Sequence, residues 1–261
     1  MPTPTALEES RRCQIAQIGF AQPFDWLAKG WRDMLRAPVP ALVHGVVVAL
    51  FGLLLLLVAY RHFWLLAGAF SGFLMIGPLA ATGLYAVSRA LEQGRDATLA
   101  TALAAWRPHN LRLVLFGLLL ASAGTCWVLT SASLITAFAP QPVRDPVDFL
   151  RVVVLNDQSW LFEAWLSLGG VLVAPVYASS VVAIPLLLER RISVLGAVLT
   201  SWRVVMQNPG PMALWGALLI GITMLGMSTL LLGLVVAVPW LSYASWHAYR
   251  DLIPSADLPK T

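Results

Sequence analysis

The sequence predicts an all-α membrane protein of six transmembrane helices arranged as three hairpins, each preceded by an amphipathic helix on the cytoplasmic membrane surface. Composition is the first observation, because 59% of the 261 residues are hydrophobic and only 11% are charged, whereas soluble domains carry about 25% charged residues. The second is the mean hydropathy of +0.77. The third is a recurring unit in which a Trp-Arg pair and two prolines precede a long apolar run.

The final apolar run, residues 212–249, is too long for a single span. As one helix it would measure roughly 57 Å, whereas the hydrocarbon core of a bilayer is about 30 Å thick. It therefore predicts a hairpin whose turn lies between Gly226 and Gly233. The six predicted spans are at about residues 41–60, 63–88, 113–139, 164–188, 212–228 and 231–249.

The polar segments around these spans also follow a pattern. Residues 1–22 predict an irregular cytoplasmic tail, residues 23–253 one membrane domain, and residues 254–261 a second cytoplasmic tail. Three stretches before the hairpins predict surface helices, because apolar residues recur at spacings of three and four. Their stripes contain Phe24, Leu27, Trp31 and Met34 in the first, Leu99, Leu103 and Trp106 in the second, and Ile192, Leu195, Leu199, Trp202 and Met206 in the third.

Internal repetition supports three hairpins. Seven positions separate Trp31 from Pro38, and seven separate Trp202 from Pro209. Eleven positions separate Pro78 of the second span from Arg89, and eleven separate Pro239 of the sixth span from Arg250. The middle hairpin departs from this register and is interpreted as a divergent copy. Its second span contains Pro175 and Pro185, which predict kinks.

Basic residues near span ends set the orientation, because they accumulate on the cytoplasmic side. With six spans, fourteen of the 17 basic residues lie on one side, and Arg61, Arg144 and Arg151 lie on the other. Both termini are therefore predicted to be cytoplasmic. The positive charge is explained by topology, so nucleic acid is not expected as a partner.

The residues offer no chemistry that would indicate an enzyme. The predicted spans contain no Asp, Glu, Lys or Arg, which weakens a proton- or sodium-coupled carrier. No metalloprotease, nucleophile-elbow, phosphate-loop or CxxC motif is present. Cys13 and Cys126 are too differently placed to predict a disulfide. We expect no catalytic residue, no metal and no cofactor.

His44 and His247 are the histidines within the predicted spans, and a haem between them would need two imidazoles that face each other. Both are interpreted instead as interfacial side chains bound to a backbone carbonyl or a headgroup. Trp31, Trp106 and Trp202 are predicted to anchor the surface helices at the membrane interface. Candidate contacts to anionic lipid are Arg32, Arg89, Arg107, Arg203 and Arg250.

Four sequence blocks carry a resemblance to a known family: GWRDMLRAP at 30–38, AWR at 105–107, SWRVVMQNPGPM at 201–212 and ASWHAYRDL at 244–252. Together they resemble the bacterial integral membrane family called domain of unknown function 2189, over about residues 23–253. The resemblance implies a six-span inner-membrane protein without an established activity or catalytic positions. Some members carry the label cytochrome c oxidase subunit I-like, which this chain's few membrane histidines do not fit.

Three functional hypotheses follow. The first is a non-enzymatic scaffold or accessory protein of the inner membrane, in contact with lipids and with an unidentified membrane-protein partner or a second copy. The second is a small carrier or channel built from hairpin repeats, which the span prolines suggest. The third is a haem-binding, oxidase-associated protein, which rests on two histidines. The first is preferred, because neither buried charge nor a catalytic motif is found in the sequence.

Overall fold

The computed structural model describes residues 4–59, 81–105, 111–156 and 159–259. The chain forms two compact units. The first unit comprises Met1–Leu50, Pro78–Phe116 and Tyr177–Thr261, and the second comprises Phe51–Gly77 and Gly117–Val176. Several predicted features lie outside the described residues, namely Arg61, His62, Trp106, Arg107 and residues 63–80 of the second span.

Helices dominate the described residues. Their bounds are α1 Ala6–Arg11, α2 Gln22–Arg36, α3 Pro38–Ala59, α4 Thr82–Glu92, α5 Leu99–Ala104, α6 Leu111–Phe138, α7 Pro146–Phe149, α8 Leu161–Ser180, α9 Ala183–Glu189, α10 Val194–Gln207, α11 Pro209–Ser228 and α12 Leu234–Leu252. A π-helical turn, Leu150–Val154, follows α7. Two short strands, β1 Cys13–Gln14 and β2 Ser255–Ala256, pair antiparallel.

Four helices of the described chain are long and apolar enough to cross a membrane: Pro38–Leu55, Leu111–Phe138, Leu161–Glu189 and Pro209–Ser228. They overlap the first, third, fourth and fifth predicted spans. The second predicted span lies mostly outside the described residues. The sixth corresponds to α12, which is helical but is not one of these four. The all-α membrane class is thus supported, while the count of six spans stays a prediction.

The fourth span is interrupted where prolines predicted a kink. Helix α8 ends at Ser180 and α9 begins at Ala183, so Val181 and Val182 separate the two. Pro185 has no N–H to donate to the carbonyl of Val181, and this missing hydrogen bond weakens the helix at that point. The turn between α11 and α12 spans residues 229–233, within the interval between Gly226 and Gly233.

Helix α12 lies at the centre of the first unit and packs against α2, α4 and α11. Two glycines allow its neighbours to approach closely. A Cβ atom at Gly30 of α2 would lie 2.6 Å from the Ala244 nitrogen, and one at Gly45 of α3 would overlap the Val235 backbone. Most residues on the second half of α12 are buried as a result. Burial of this kind explains why α12 is less apolar than a lipid-facing helix.

The N-terminal segment, expected to be an irregular tail, is folded. Helix α1 begins with a capping box between Thr5 and Glu8 and packs against α10. Strand β1 then pairs with β2, so the C-terminal tail is ordered at the same place. Cys13 is 1% exposed. The prediction of an irregular tail was wrong, because a polar composition does not reveal the tertiary hydrogen bonds that hold this segment.

The second unit has an apolar core of its own. Ile135, Val143, Val153 and Leu161 form a buried cluster that includes the connection between α6 and α8. In the same unit the Trp165 Nε1 atom donates a hydrogen bond of 2.7 Å to Ser131 Oγ. The connection between α6 and α8 therefore packs against these two helices.

Candidate functional site

Several ionisable side chains of the first unit gather around one end of α12. Asp33 is carried by the buried face of α2, Arg89 and Glu92 by the last turns of α4, and Glu189 by the end of α9. Helix α12 contributes His247, Tyr249, Arg250 and Asp251 from its last two turns. Because α2 and α4 pack on α12, with α9 also in contact, these polar groups are brought within reach of each other.

Asp33 connects three helices. Its carboxylate is buried, and its Oδ2 atom accepts a hydrogen bond of 2.8 Å from His247 Nε2. Ser88 Oγ donates to the same oxygen. In a nucleophilic relay the serine would donate to the imidazole, and here it donates to the acid. The arrangement is a polar connection between α2, α4 and α12, without the geometry of a nucleophile and its base.

Glu189 is the second buried carboxylate, 5% exposed. The Tyr249 hydroxyl donates a hydrogen bond of 2.6 Å to its Oε2 atom. Three guanidinium groups surround it: Arg250 Nη1 at 3.6 Å, Arg89 Nε at 3.9 Å and Arg190 Nε at 4.0 Å. These distances give charge compensation with no direct hydrogen bond from these three nitrogens. The charge of Glu189 is therefore balanced within the protein.

Glu92 completes what we call the arginine-glutamate cluster, which consists of Arg89, Glu92, Glu189, Arg190 and Arg250. Its Oε1 atom lies 3.0 Å from Arg250 Nε, and its Oε2 atom accepts a hydrogen bond of 3.3 Å from Trp246 Nε1. Burial lowers the pKa of Arg250, but the charges of Glu92 and Glu189 outweigh burial and raise it above its ordinary value. Arg250 is consequently charged at every physiological pH.

The N-terminal segment, residues 4–20, attaches to α10 through polar contacts. Ser193 is the N-cap of α10, and its backbone N–H donates a hydrogen bond of 3.0 Å to Glu9 Oε2. A Cβ atom at Gly196 would lie 2.5 Å from that oxygen, so the glycine leaves room for it. The carboxylate of Glu9 thus lies at the positive end of the helix, where negative charge is stabilising.

Two further side chains fix the same segment along α10. Arg203 donates a hydrogen bond of 2.5 Å to the Ser10 carbonyl. At the end of the helix, Asn208 Oδ1 accepts from the Ile18 N–H at 2.9 Å, and its Nδ2 donates to the Ala16 carbonyl at 3.1 Å. Asn208 is buried, so both contacts are shielded from water. Residues 4–20 therefore cover the polar face of α10.

The structure separates the five arginines that the sequence suggested as lipid contacts. Arg89 and Arg250 belong to the arginine-glutamate cluster, and Arg203 is bound to Ser10. Arg32 is exposed and has no ion pair with the part of the chain that the structure describes. Arg107 lies outside that part. Lipid contact at these positions stays a prediction, and Arg32 is the member that forms no ion pair with the residues described by the structure.

The predicted tryptophan anchors and the histidines have the following surroundings. Trp31 is 40% exposed and meets Trp240 edge to face, with ring centroids 5.4 Å apart. Trp202 is partly exposed and donates to Ser179 Oγ at 2.9 Å. His44 contacts the Pro40 carbonyl at 3.0 Å, as expected. His247 instead binds a carboxylate, which corrects the expectation of a carbonyl or headgroup partner.

Sequence reasoning missed the acidic members of the site. Glu189 directly follows the fourth predicted span, just as Arg89 and Arg250 follow the second and sixth. These equivalent positions could have predicted that the three side chains lie near each other. Asp33 lies three positions after Gly30, on the face that packs against α12. Among the described residues no three His, Cys, Asp or Glu side chains are arranged to hold a metal ion.

Four helices of the described chain are long and apolar enough to cross a membrane, which is typical of an integral membrane protein. Residues 65–189 match the family described as "Predicted integral membrane protein (DUF2189)", which confirms the resemblance to domain of unknown function 2189 over that part of the chain. Of the four blocks that suggested the resemblance, the AWR at 105–107 lies within the match. No curated protein and no solved structure matches the chain.

Proposed function

We propose that this protein is a non-enzymatic scaffold or accessory protein of the bacterial inner membrane. The observation that carries the proposal is the arrangement of its ionisable groups. The buried carboxylates of Asp33 and Glu189 are both bound by side chains of the same unit, and so act as connections between helices. A carrier or an enzyme would need such groups to be available to a substrate. Because these polar groups hold helices together, they favour a rigid protein whose surface binds a partner.

The proposed topology has six spans in three hairpins, with both termini cytoplasmic. Pairing of β1 with β2 supports it, because the strands place the two ends of the chain side by side. Both ends on one side of a membrane require an even number of spans. The four candidate helices and α12 make five, and the second span that the sequence predicts at about residues 63–88 would make the number even.

The proposed surface helices are supported by the exposed residues of α2 and α10. Each helix buries one face in the protein and leaves an apolar stripe exposed. These stripes are Phe24, Trp31 and Leu35 on α2 and Leu195, Trp202 and Met206 on α10. An exposed apolar stripe on a helix that directly precedes a span is suited to the level of the headgroups.

Fusions to a periplasm-active reporter test the topology. A reporter after Arg61, or within residues 140–160, is expected to be active, and one after Thr261 is expected to be silent. An active reporter at the C-terminus would mean that the sixth span does not cross the membrane and that the number of spans is odd.

The scaffold proposal is tested by purification from native membranes after chemical crosslinking, followed by size separation. A stoichiometric complex with a defined membrane-protein assembly is expected, and an empty-tag membrane protein of similar size serves as the control. Reconstitution of the pure chain into liposomes tests the alternative directly. Solute flux that saturates, without any partner, would replace the scaffold by a carrier.

A further inference from the structure

Helix α2 has three distinct faces rather than two. Its buried face, with Trp26, Gly30 and Asp33, packs on α12. At 100° per residue, the remaining positions divide into an apolar exposed face and a charged exposed face. The apolar face contains Phe24, Ala28, Trp31 and Leu35, and the charged face contains Asp25, Lys29, Arg32 and Arg36.

The charged face ends at a cavity of about 380 Å³. Arg36 lies on its rim, and Pro38, Val39, Pro40, Ala97 and Leu99 form most of its walls. The cavity is located where the chain passes from α2 into α3, the first candidate span. An apolar cavity of this size with one cationic group fits the volume range of ligand sites in proteins.

The aligned place in the last hairpin is filled by the chain itself. Alignment of Trp31 with Trp202 makes Pro209, Gly210 and Pro211 the counterparts of the cavity wall. There the ring of Phe20 lies so close that a Cβ atom at Gly210 would be 2.6 Å from its Cζ atom. Asn208 holds Ala16 and Ile18 beside it. Residues 16–20 therefore occupy one junction, whereas no residue that the structure describes fills the cavity at the junction after α2.

We propose that the open junction binds one anionic phospholipid, with its phosphate on Arg32 and Arg36 and its glycerol and first acyl carbons in the cavity. The two arginines are four residues apart and thus adjacent on the helix surface. Lys29 does not compete for the phosphate, because Asp251 binds it at 3.0 Å. Arg95 and Asp96, which precede the wall residue Ala97, offset each other in charge.

A phospholipid fits this place better than free phosphate. Phosphate would use the two guanidinium groups and leave the apolar wall uncovered, whereas a lipid uses both. The neighbouring exposed Trp31 and Leu35 would lie against the same lipid layer. The inference rests on the proposed function in one respect, the position of α2 at the membrane surface.

Native mass spectrometry of the delipidated chain, mixed with equimolar phosphatidylglycerol and phosphatidylcholine, tests the proposal. One phosphatidylglycerol is expected to be retained preferentially. The double variant R32Q/R36Q should weaken that retention about 30-fold, since each basic group near an anionic surface contributes a factor of about five. The control variant R11Q/R12Q has the same charge change at exposed positions and should retain the lipid. Equal retention by both double variants would overturn the proposal.

A second pair of variants tests the cavity. Val39→Trp fills it from an exposed wall position and should also weaken retention, whereas Val43→Trp, one turn further on, should not. Excess inorganic phosphate should leave the lipid bound. Displacement by phosphate would mean that a free anion is the ligand, and full retention by Val39→Trp would mean that the lipid does not enter the cavity. Either result would overturn the proposal. Retention is measured on the purified chain, so it does not depend on whether a scaffold partner is found.

Discussion

Helices α2 and α10 are two copies of one sequence pattern with different surroundings. Alignment of Trp31 with Trp202 also aligns Phe24 with Leu195 and Leu35 with Met206, and these residues are exposed on both helices. The glycines at 45 and 216 in the spans that follow are aligned as well. Thus the repeat preserves the exposed apolar stripe and the proline junction, which are the features that a helix entering a membrane requires.

The inner faces of the two helices differ. Asp33 of α2 is replaced by Val204 in α10, and Gly30 is replaced by Ser201. Helix α2 lies directly on α12, where a glycine is needed and a histidine is available to the carboxylate. Helix α10 lies against α1 and α9 instead. The partner helix, rather than the repeat, therefore determines which polar residues are buried.

The largest expected effect concerns Asp33, the counterpart of Val204, and is produced by removing its partner His247. His247→Ala should lower the free energy of unfolding by about 3 kcal/mol, because it leaves the buried Asp33 carboxylate without its imidazole partner. Detergent-induced unfolding, followed by tryptophan fluorescence, measures it. The double variant Asp33→Val with His247→Leu imitates the apolar site of α10 and should recover most of the loss. No recovery would mean that the two residues stabilise the fold separately.

Gly30→Ala should cost about 2 kcal/mol, since the new methyl group meets the backbone of α12 and cannot be relieved by a side-chain rotation. The matched comparison is Ser201→Ala at the aligned position of α10, which should cost about 1 kcal/mol, because its hydroxyl accepts a long hydrogen bond of 3.4 Å from the Val182 N–H. The same unfolding measurement applies. A stabilised Gly30→Ala variant, as helix propensity alone would predict, would show that α2 and α12 are further apart.

The aligned arginines provide the next test. Arg203→Gln should lower the free energy of unfolding by about 1 kcal/mol, because its hydrogen bonds to Ser10 are lost. Arg32→Gln should change it by less than about 0.5 kcal/mol, since the side chain is exposed. If both substitutions have equal effects, the two helices are not distinguished by the N-terminal segment.

The smallest effect concerns the attachment of that segment, and Cys13 reports it. Burial raises the pKa of the Cys13 thiol, so at pH 8 the folded protein holds less of the reactive thiolate than a free cysteine would. In a Cys126→Ser background, Glu9→Gln should accelerate alkylation of Cys13 about threefold, because the cap of α10 is weakened. Arg11→Gln, at an exposed position of the same helix, is the control. Identical rates of Cys13 alkylation in the variant and the control would mean that Glu9 does not control the opening of the N-terminal segment.

Periodicity and composition were sufficient for much of the fold. The apolar runs at 41–60, 113–139, 164–188 and 212–228 correspond to helices that can cross a membrane, and the last turn lies where glycines predicted it. Of the candidate site, the sequence placed Arg89 and Arg250 at equivalent positions of the repeat and suggested both as lipid contacts, but it did not predict the Glu189 carboxylate that lies near both. A charged residue beside a span end has the same sequence signature whether it binds a headgroup or another residue.

The sequence by itself determined the membrane class and the spacing of the repeat, because these depend on the residues along one segment, and the surface helices stay a prediction made from the same spacing. Only the tertiary structure decided that α12 is surrounded by other helices, that residues 4–20 are folded against α10, and that Asp33 and Glu189 are buried beside a histidine and arginines. Each of these depends on pairs of residues far apart in the chain. The energy of burying a carboxylate is set by the partner that reaches it, and spacing along one helix carries no information about that partner.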